Sequence, residues 1–166
     1  INSAINPHNK NLLSIGGGLG GLELVINKKF SVKSFTFIER NYVSKKVKYG
    51  WDNKNNEAYN DISIQKNFLI KNGMESSRFT IFDYDNDQLP KDKFDIIISL
   101  FSLDYHYDFK IYLDYLRSTT HTHSKIIFDT IRPDYFKNIF KEVVILKDRP
   151  RAIHGSKRIM CRDFLN

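Results

Sequence analysis

Cysteine is almost absent: Cys161 stands alone among 166 residues. One thiol excludes an intrachain disulfide framework and a cysteine-built metal cluster. It fits a reducing, cytoplasmic setting. Long apolar runs are missing too, and none approaches the roughly 20 residues that cross a bilayer as a helix. The segment Ile1 to Lys10 lacks the charged-then-apolar order of a signal peptide. It also lacks an initiator Met, so residues 1–10 read as an extension, the remnant of a longer or trimmed chain, ahead of one domain over 11–166. No internal repeat and no long linker interrupts that domain.

What is present describes a folded domain. The hydrophobic share is 41%, with 13 Phe and 9 Tyr. A chain this long buries a core without covalent staples. The formal net charge is +7, which raises a nucleic-acid partner as one reading. The basic residues are spread along the chain, so a lysine-rich solvated surface is favoured over that partner. The densest basic stretch runs from Lys147 to Arg162 and includes Arg149, Arg151, Lys157 and Arg158. It is either a contact for an acidic group or the charged face of the last strands.

Short apolar runs alternate with helical stretches. Asn11 to Ile15 ends in glycines and reads as a buried strand, and Leu19 to Ile26 as a helix. Ser34 to Ile38 is aromatic and β-branched, as strands are. Tyr42 to Asn72 reads as mostly helical and polar, with an apolar face of Ile62, Ile64, Phe68, Leu69 and Ile70. Phe79 to Phe82, Phe94 to Leu100 and Lys125 to Ile131 read as further strands. Phe109, Tyr112, Leu113 and Leu116 have helical spacing, and Pro133 opens another helix. Val143 to Leu146 and Ser156 to Cys161 complete a count of seven strands. Near-continuous apolar strands suit a parallel sheet covered on both faces. The expected fold is a doubly wound α/β sheet, mostly parallel, with ligands beyond the carboxyl ends of its strands.

The strongest local signal is the segment Leu12 to Glu23, where a strand runs through glycines into a helix. Glycines permit positive φ and close backbone approach. Free N–H groups at the helix start bind polar or anionic groups. Gly16, Gly18 and Gly21 satisfy the dinucleotide spacing G-x-G-x-x-G. Glu39 follows Gly18 by 21 residues at the end of the second expected strand. There it accepts hydrogen bonds from ribose hydroxyls, or else forms a surface ion pair with Arg40.

In these segments the chain resembles the class I S-adenosylmethionine (SAM) dependent methyltransferases, whose fold is Rossmann-like. LLSIGGGLGG is similar to the family's first motif, with Gly16, Gly18 and Gly20 at its glycine positions. FTFIER carries Glu39 at the family's ribose acid. RFTIFDYDNDQLP is similar to the third strand and its loop, where Asp85, followed by Asn86, best matches the adenine acid; Asp83 competes. FDIIISLFSLDYH is similar to the fourth-strand motif and places Ser99 and Leu100 near the methionine part. The resemblance spans Asn11 to Phe164. It implies a SAM site of Gly16, Gly17, Gly18, Gly20, Glu39, Arg40, Asp85, Asn86, Ser99 and Leu100, with no metal. Ser14 departs from the pattern, since an acid commonly stands there.

For a methyltransferase, chemistry rests on placing a nucleophile in line with an already electrophilic methyl group. Asp104 and His106 follow the fourth expected strand. His106 is a candidate general base, with Asp104 orienting it or binding a substrate hydroxyl. Against this stands an ordinary helix entry, with Asp104 as a cap. Asp129 and Arg132 approach the substrate side, or else serve a strand-end hydrogen bond and a surface charge. His121 and His123 fall on the far side. His154 and Gly155 read as an ordinary turn, or else as the last hairpin overhanging the substrate, and Tyr49, Trp51 and Tyr59 as packing, with Trp51 a stacking alternative.

The expected activity is methyl transfer from SAM to a small molecule or sugar, at oxygen. Ser102-Leu103-Asp104-Tyr105 stands where a nucleic-base amino methylase carries an Asn-Pro-Pro-Tyr type segment. Two other readings compete. One is an NAD(P)-dependent oxidoreductase domain, for which little chain remains; the Tyr-x-x-x-Lys spacing of Tyr42 to Lys46 follows the wrong strand. The other is a non-catalytic methyltransferase-like subunit, which would not need Glu39 and Asp85.

Overall fold

A computed structural model describes residues 4–5, 11–45, 58–148 and 155–165. Nine strands appear among them: β1 (Asn11–Ile15), β2 (Ser34–Glu39), β3 (Tyr42–Val43), β4 (Tyr59–Asn60), β5 (Phe79–Asp83), β6 (Ile96–Ser99), β7 (Lys125–Thr130), β8 (Phe140–Asp148) and β9 (Lys157–Phe164). The helices are α1 (Gly21–Lys29), α2 (Ile62–Lys71) and α3 (Leu113–Thr119). Three 3-10 turns, at Ser76–Arg78, Phe109–Tyr112 and Pro133–Asn138, complete the set.

Seven strands form one sheet in the order β5-β2-β1-β6-β7-β9-β8. The β1–β2, β1–β6, β2–β5 and β6–β7 pairings are parallel, while β9 runs antiparallel to both β7 and β8. The chain builds outward from β1 to β5, then returns to lay β6 on the other side of β1. That reversal opens a crevice beyond the carboxyl ends of β1 and β6, where ligands of open α/β sheets bind.

Strand alternation divides the core into two layers. Leu13, Ile15, Ile97 and Phe128 pack with Phe109, Leu116 and Phe136 on one face. Leu12, Phe35, Phe37, Ile96, Ile98 and Ile127 pack with Leu24, Ile26 and Leu69 on the other. Each fully buried Phe or Ile contributes on the order of 1.5–3 kcal/mol. Both faces being covered explains why β1, β6 and β7 carry nearly unbroken apolar runs.

The stretch from Tyr42 to Asn72 departs from its expected helical character. Tyr42–Val43 and Tyr59–Asn60 pair as an antiparallel ladder, and within the described part helix begins only at Ile62. The reason is local. Asp61 has an extended backbone, and its side chain accepts from the N–H groups of Ser63 (2.8 Å) and Ile64 (3.1 Å), a strong N-cap. The apolar face noted in the sequence lies entirely beyond that cap. The expected helix at Pro133 is a 3-10 turn. Helix α1 starts at Gly21 rather than Leu19, because Gly20 is left-handed (φ 81°). No described helix is long and apolar enough to cross a membrane.

Candidate functional site

The glycine turn joins β1 to α1 at the mouth of the crevice. Gly16, Gly18 and Gly20 have φ of 63°, 62° and 81°, whereas Gly21 is the ordinary first residue of α1. A Cβ on Gly16 would lie 2.0 Å from Ser102 Oγ, and one on Gly20 would lie 2.8 Å from Leu69 Cδ2. A Cβ on Gly21 would meet nothing within 4 Å. The turn thus uses Gly16, Gly18 and Gly20, and the dinucleotide triplet ending at Gly21 is fortuitous.

Glu39 closes β2 beside this turn. It is 4% exposed, and its Oε1 is buried with no hydrogen-bond partner. Burial pushes its carboxyl up to about 8. The Gly17 N–H works against that shift, the Glu23 carboxyl adds to it, and the Asn60 amide and Gly18 N–H oppose it more weakly. Gly16, Gly18, Glu39, Arg40, Asn60 and His106 border one cleft of about 550 Å³, including its open mouth. That is the scale of a small-ligand site. Ladder β3–β4 contributes its wall through Tyr59 and Asn60, and Asn60 Nδ2 donates to Gly18 O (3.3 Å) and Gln65 Oε1 (2.8 Å).

The other residues expected at the cofactor are placed differently. Asp85 binds Arg40 with both carboxylate oxygens, which holds its carboxyl below the usual range. Asn86 donates to Asp83 Oδ2 (2.6 Å), and Asp83 Oδ1 accepts from the Asp85 N–H (3.2 Å). Asp83 therefore shapes the loop, and Asp85 and Asn86 stand outside the cleft lining. Ser99 Oγ donates to Ile15 O (2.8 Å) and accepts from Leu103 N–H (2.9 Å), fastening the ends of β1 and β6 together. Leu100 packs into the core layer that carries α1. Gly17 turns away from the cleft toward Ser14 and Glu23.

The loop after β6 carries the chemistry candidates. Phe101 and Asp104 are left-handed (φ 55° and 58°), a conformation costing an L residue roughly 1–2 kcal/mol. Asp104 is 2% exposed and is not a helix cap; Asp108 is, accepting from Lys110 N–H (3.0 Å). Instead Asp104 Oδ2 accepts from Thr130 Oγ1 (2.6 Å), and its Oδ1 accepts from Arg132 Nε (3.1 Å). Burial raises its carboxyl against those bonds. Asp104 therefore anchors the loop to β7, which also accounts for Arg132. His106 does border the cleft, its ring 4.5 Å from Tyr105 and 5.4 Å from Tyr59, centre to centre.

Asp129 is fully buried and bidentate with Arg158 (3.0 Å each), so its role joins β7 to β9. His121 Nε2 lies 3.2 Å from Asp95 Oδ1 at the opposite end of the sheet. Tyr49, Trp51, Arg149, Arg151 and His154 lie outside the described residues. Sequence reasoning overlooked Glu23. It is 1% exposed in the first turn of α1 and accepts from Ser14 Oγ (2.7 Å). The missing acid at position 14 was the one available signal.

No family model matches the sequence, and no curated protein matches it. Solved structures match in fold. The mitomycin 7-O-methyltransferase MmcR aligns over 97% of this chain and 51% of its own, at TM-score 0.60 and 13% identity. A SAM-dependent methyltransferase from Geobacter sulfurreducens, in complex with S-adenosyl-L-homocysteine, aligns over 89% and 48%, at TM-score 0.51 and 12% identity. A tRNA methyltransferase from B. subtilis aligns over 95% and 61%, at TM-score 0.58 and 11% identity. The chain spans about half the length of the first two. It has the Rossmann-like fold of the class I SAM-dependent methyltransferases, with the seven-stranded, mostly parallel sheet expected from the sequence.

Proposed function

We propose that this chain binds SAM and transfers its methyl group to a small-molecule or sugar acceptor, at oxygen. The observation that carries the reading is Glu39: a buried carboxyl oxygen without a partner, beside a left-handed glycine turn, at the carboxyl end of β2 next to the switch point of the sheet. A buried acceptor left unpaired costs about 1–3 kcal/mol. Vicinal ribose hydroxyls are donors of the right kind to remove that cost. The likeness in fold to SAM-dependent methyltransferases, one of them holding S-adenosylhomocysteine, supports the choice of nucleotide.

Bound SAM supplies an electrophilic methyl group, and the chain supplies placement. Gly16 and Gly18 form the floor of the site, with Gly17 held from behind. Arg40, fixed by Asp85, forms the wall beyond Glu39, and the Asn86 loop supports that pair. Ser99 and Leu100 act from one layer down, by holding the backbone of Phe101 and Ser102 against the turn. His106 takes the proton of an acceptor hydroxyl, and Asp104 positions its loop through Thr130 and Arg132. Cys161 is fully buried, which keeps it inert in a reducing, cytoplasmic setting.

Calorimetry with SAM, S-adenosylhomocysteine and NAD tests the reading. SAM and S-adenosylhomocysteine are expected to bind. Binding of NAD alone would transfer the chain to the oxidoreductase reading.

A further inference from the structure

Gly17 separates two buried carboxyl groups. On one side lies Glu23, whose Oε1 would be 3.3 Å from a Cβ on Gly17, behind Ser14 Oγ at 2.4 Å. On the cleft side lies Glu39, which borders the same cleft as the flanking Gly16 and Gly18. Glu23 is 1% exposed and Glu39 is 4% exposed. Each keeps one buried oxygen without a partner, Oε2 of Glu23 and Oε1 of Glu39. A side chain at Gly17 would strike Ser14 Oγ, so the turn packs directly on the Ser14–Glu23 pair while its Gly16 and Gly18 border the cleft with Glu39.

A lone structural glutamate would be satisfied by its surroundings or replaced by an apolar residue, since buried charge is costly. Glu23 has neither property. Its sole hydrogen-bonding side chain among the described residues is Ser14, which occupies Oε1 only. Two carboxyls this dry, around one three-glycine turn, do not both ionise readily, and their protons come off as a pair. Glu39 is faced by Glu23 from α1, by Tyr107 from the loop after β6 and by Tyr112 from the adjoining 3-10 turn, all acids. Arg40, the neighbouring cation, is turned to Asp85 and Tyr107. A ligand that donates to Glu39 therefore draws a proton out of the pair.

We propose that Glu23 is a second acid of the cofactor site, a positioning residue that braces the glycine turn through Ser14 and couples ligand binding at Glu39 to release of a proton. The proposal rests on the SAM reading for its ligand, but the coupling between the two acids belongs to the unliganded chain. No covalent step is involved: the proton leaves the carboxyl pair for solvent as donors from the ligand take its place.

The test has two arms on the whole chain. In the first, glutamate side chains are labelled at the carboxyl carbon, and wild type, Glu23→Gln and Ser14→Ala are titrated by NMR without ligand. In wild type the pair titrates in two steps. Glu23→Gln leaves a single Glu39 step, moved down by half a unit or more from the upper step. Ser14→Ala, which keeps both acids, moves the Glu23 step up; it carries the test if Glu23→Gln fails to fold. Glu39 and Glu23 steps unmoved in the folded variants would overturn the coupling. In the second arm, SAM binding is measured calorimetrically near pH 7.5 in buffers of different ionisation heat. Wild type should release a substantial fraction of one proton per SAM, and Glu23→Gln clearly less; an equal count would overturn the proposal. If wild type shows the NMR coupling but binds no SAM, the proposed function fails and the carboxyl pair stands.

Discussion

Arg40 grips both carboxylate oxygens of Asp85, Nε to Oδ2 and Nη2 to Oδ1, each at 2.8 Å. The acid expected to read an adenine amino group is thereby committed to a guanidinium from the end of β2. Fork-to-fork geometry of this kind is directional as well as charged, so Asp85 acts on the cleft by aiming Arg40. Both partners are partly exposed, and an exposed ion pair contributes about 0–1 kcal/mol. Asp85→Asn should accordingly weaken SAM binding by no more than about fivefold, with the effect shrinking at high salt. A loss of 100-fold or more in calorimetry would restore a direct contact between Asp85 and the base.

The glycine turn yields a paired comparison. Gly16→Ala must place a Cβ 2.0 Å from Ser102 Oγ and 2.5 Å from its Cβ, in a left-handed backbone. The conformational part alone costs roughly 1–2 kcal/mol. Gly21→Ala meets nothing and sits at the start of a helix, where alanine is the better helix former by up to about 1 kcal/mol. Gly16→Ala should lower the melting temperature and abolish SAM binding. Gly21→Ala should leave binding intact and raise stability slightly. Equal damage from both would show that Gly21 is part of the cofactor turn after all.

Those two glycines also mark what sequence can and cannot reveal. The strand, turn and helix around Gly16 are contiguous, and their backbone requirements are written in neighbouring residues. The parallel sheet was readable for the same reason, from runs such as Ile96 to Ser99 whose burial on both faces is a local property. The Asp85–Arg40 pair is not legible in sequence, because its members lie 45 residues apart and no spacing rule ties a loop acid to the residue after β2. Glu23 was missed because a glutamate in the first turn of a helix ordinarily faces solvent and favours the helix dipole. Only the pairing of α1 against β1 shows that it points inward to Ser14. Polar composition does not distinguish a short ladder, such as Tyr42–Val43 with Tyr59–Asn60, from a polar helix.

The raised carboxyl of Glu39 carries a stability signature. In the folded state it holds its proton up to about 8, against an ordinary value of 4.5. Between those pH values the folded chain binds more protons than the unfolded one, so this group's contribution to stability declines as pH rises through the window. Below 4.5 both states are protonated and the contribution is complete. Glu39→Gln removes the proton dependence and keeps the shape. Unliganded Glu39→Gln should match wild type near pH 4.5 and exceed its melting temperature by several degrees at pH 8, taking about 2–4 °C per kcal/mol for a chain of this size. The same variant should bind SAM at least tenfold more weakly. Parallel melting curves across pH 5–9 would dismiss the assignment.

Asp129 and Arg158 make the contrasting case of a pair whose role is structural. Asp129 is fully buried, and the Arg158 side chain is 12% exposed. Breaking a buried pair from one side leaves an uncompensated charge and costs about 3–5 kcal/mol. Asp129→Ala should therefore unfold at markedly lower denaturant concentration, whereas Asp104→Ala should cost less, because its partner Arg132 is 38% exposed and still reaches Asp108. Urea titration of both variants checks the order, and a less damaging Asp129→Ala would reverse it.

His106 is where proposed chemistry and loop architecture separate. Its ring borders the cleft, while the loop around it is held by Asp104 on Thr130 and Arg132 and by backbone bonds to Ser102 O from Tyr105 N–H (3.0 Å) and His106 N–H (2.8 Å). The imidazole adds ring contacts with Tyr59, Tyr105 and Tyr107 to these anchors. Loss of the ring removes those contacts but not the Asp104 and backbone anchors, which should keep the loop and the SAM site in place. A general base contributes about 10²–10⁴-fold, so His106→Ala should reduce kcat by that factor with SAM affinity unchanged. Loss of the Asp104 carboxylate acts differently. Asp104→Asn keeps the shape but weakens the pull on Arg132, and should raise KM for the acceptor more than it lowers kcat, because the loop then samples other positions. If His106→Ala instead weakens SAM binding and leaves the kcat of residual turnover intact, the ring is a wall of the cofactor cleft, and the acceptor proton leaves by another route.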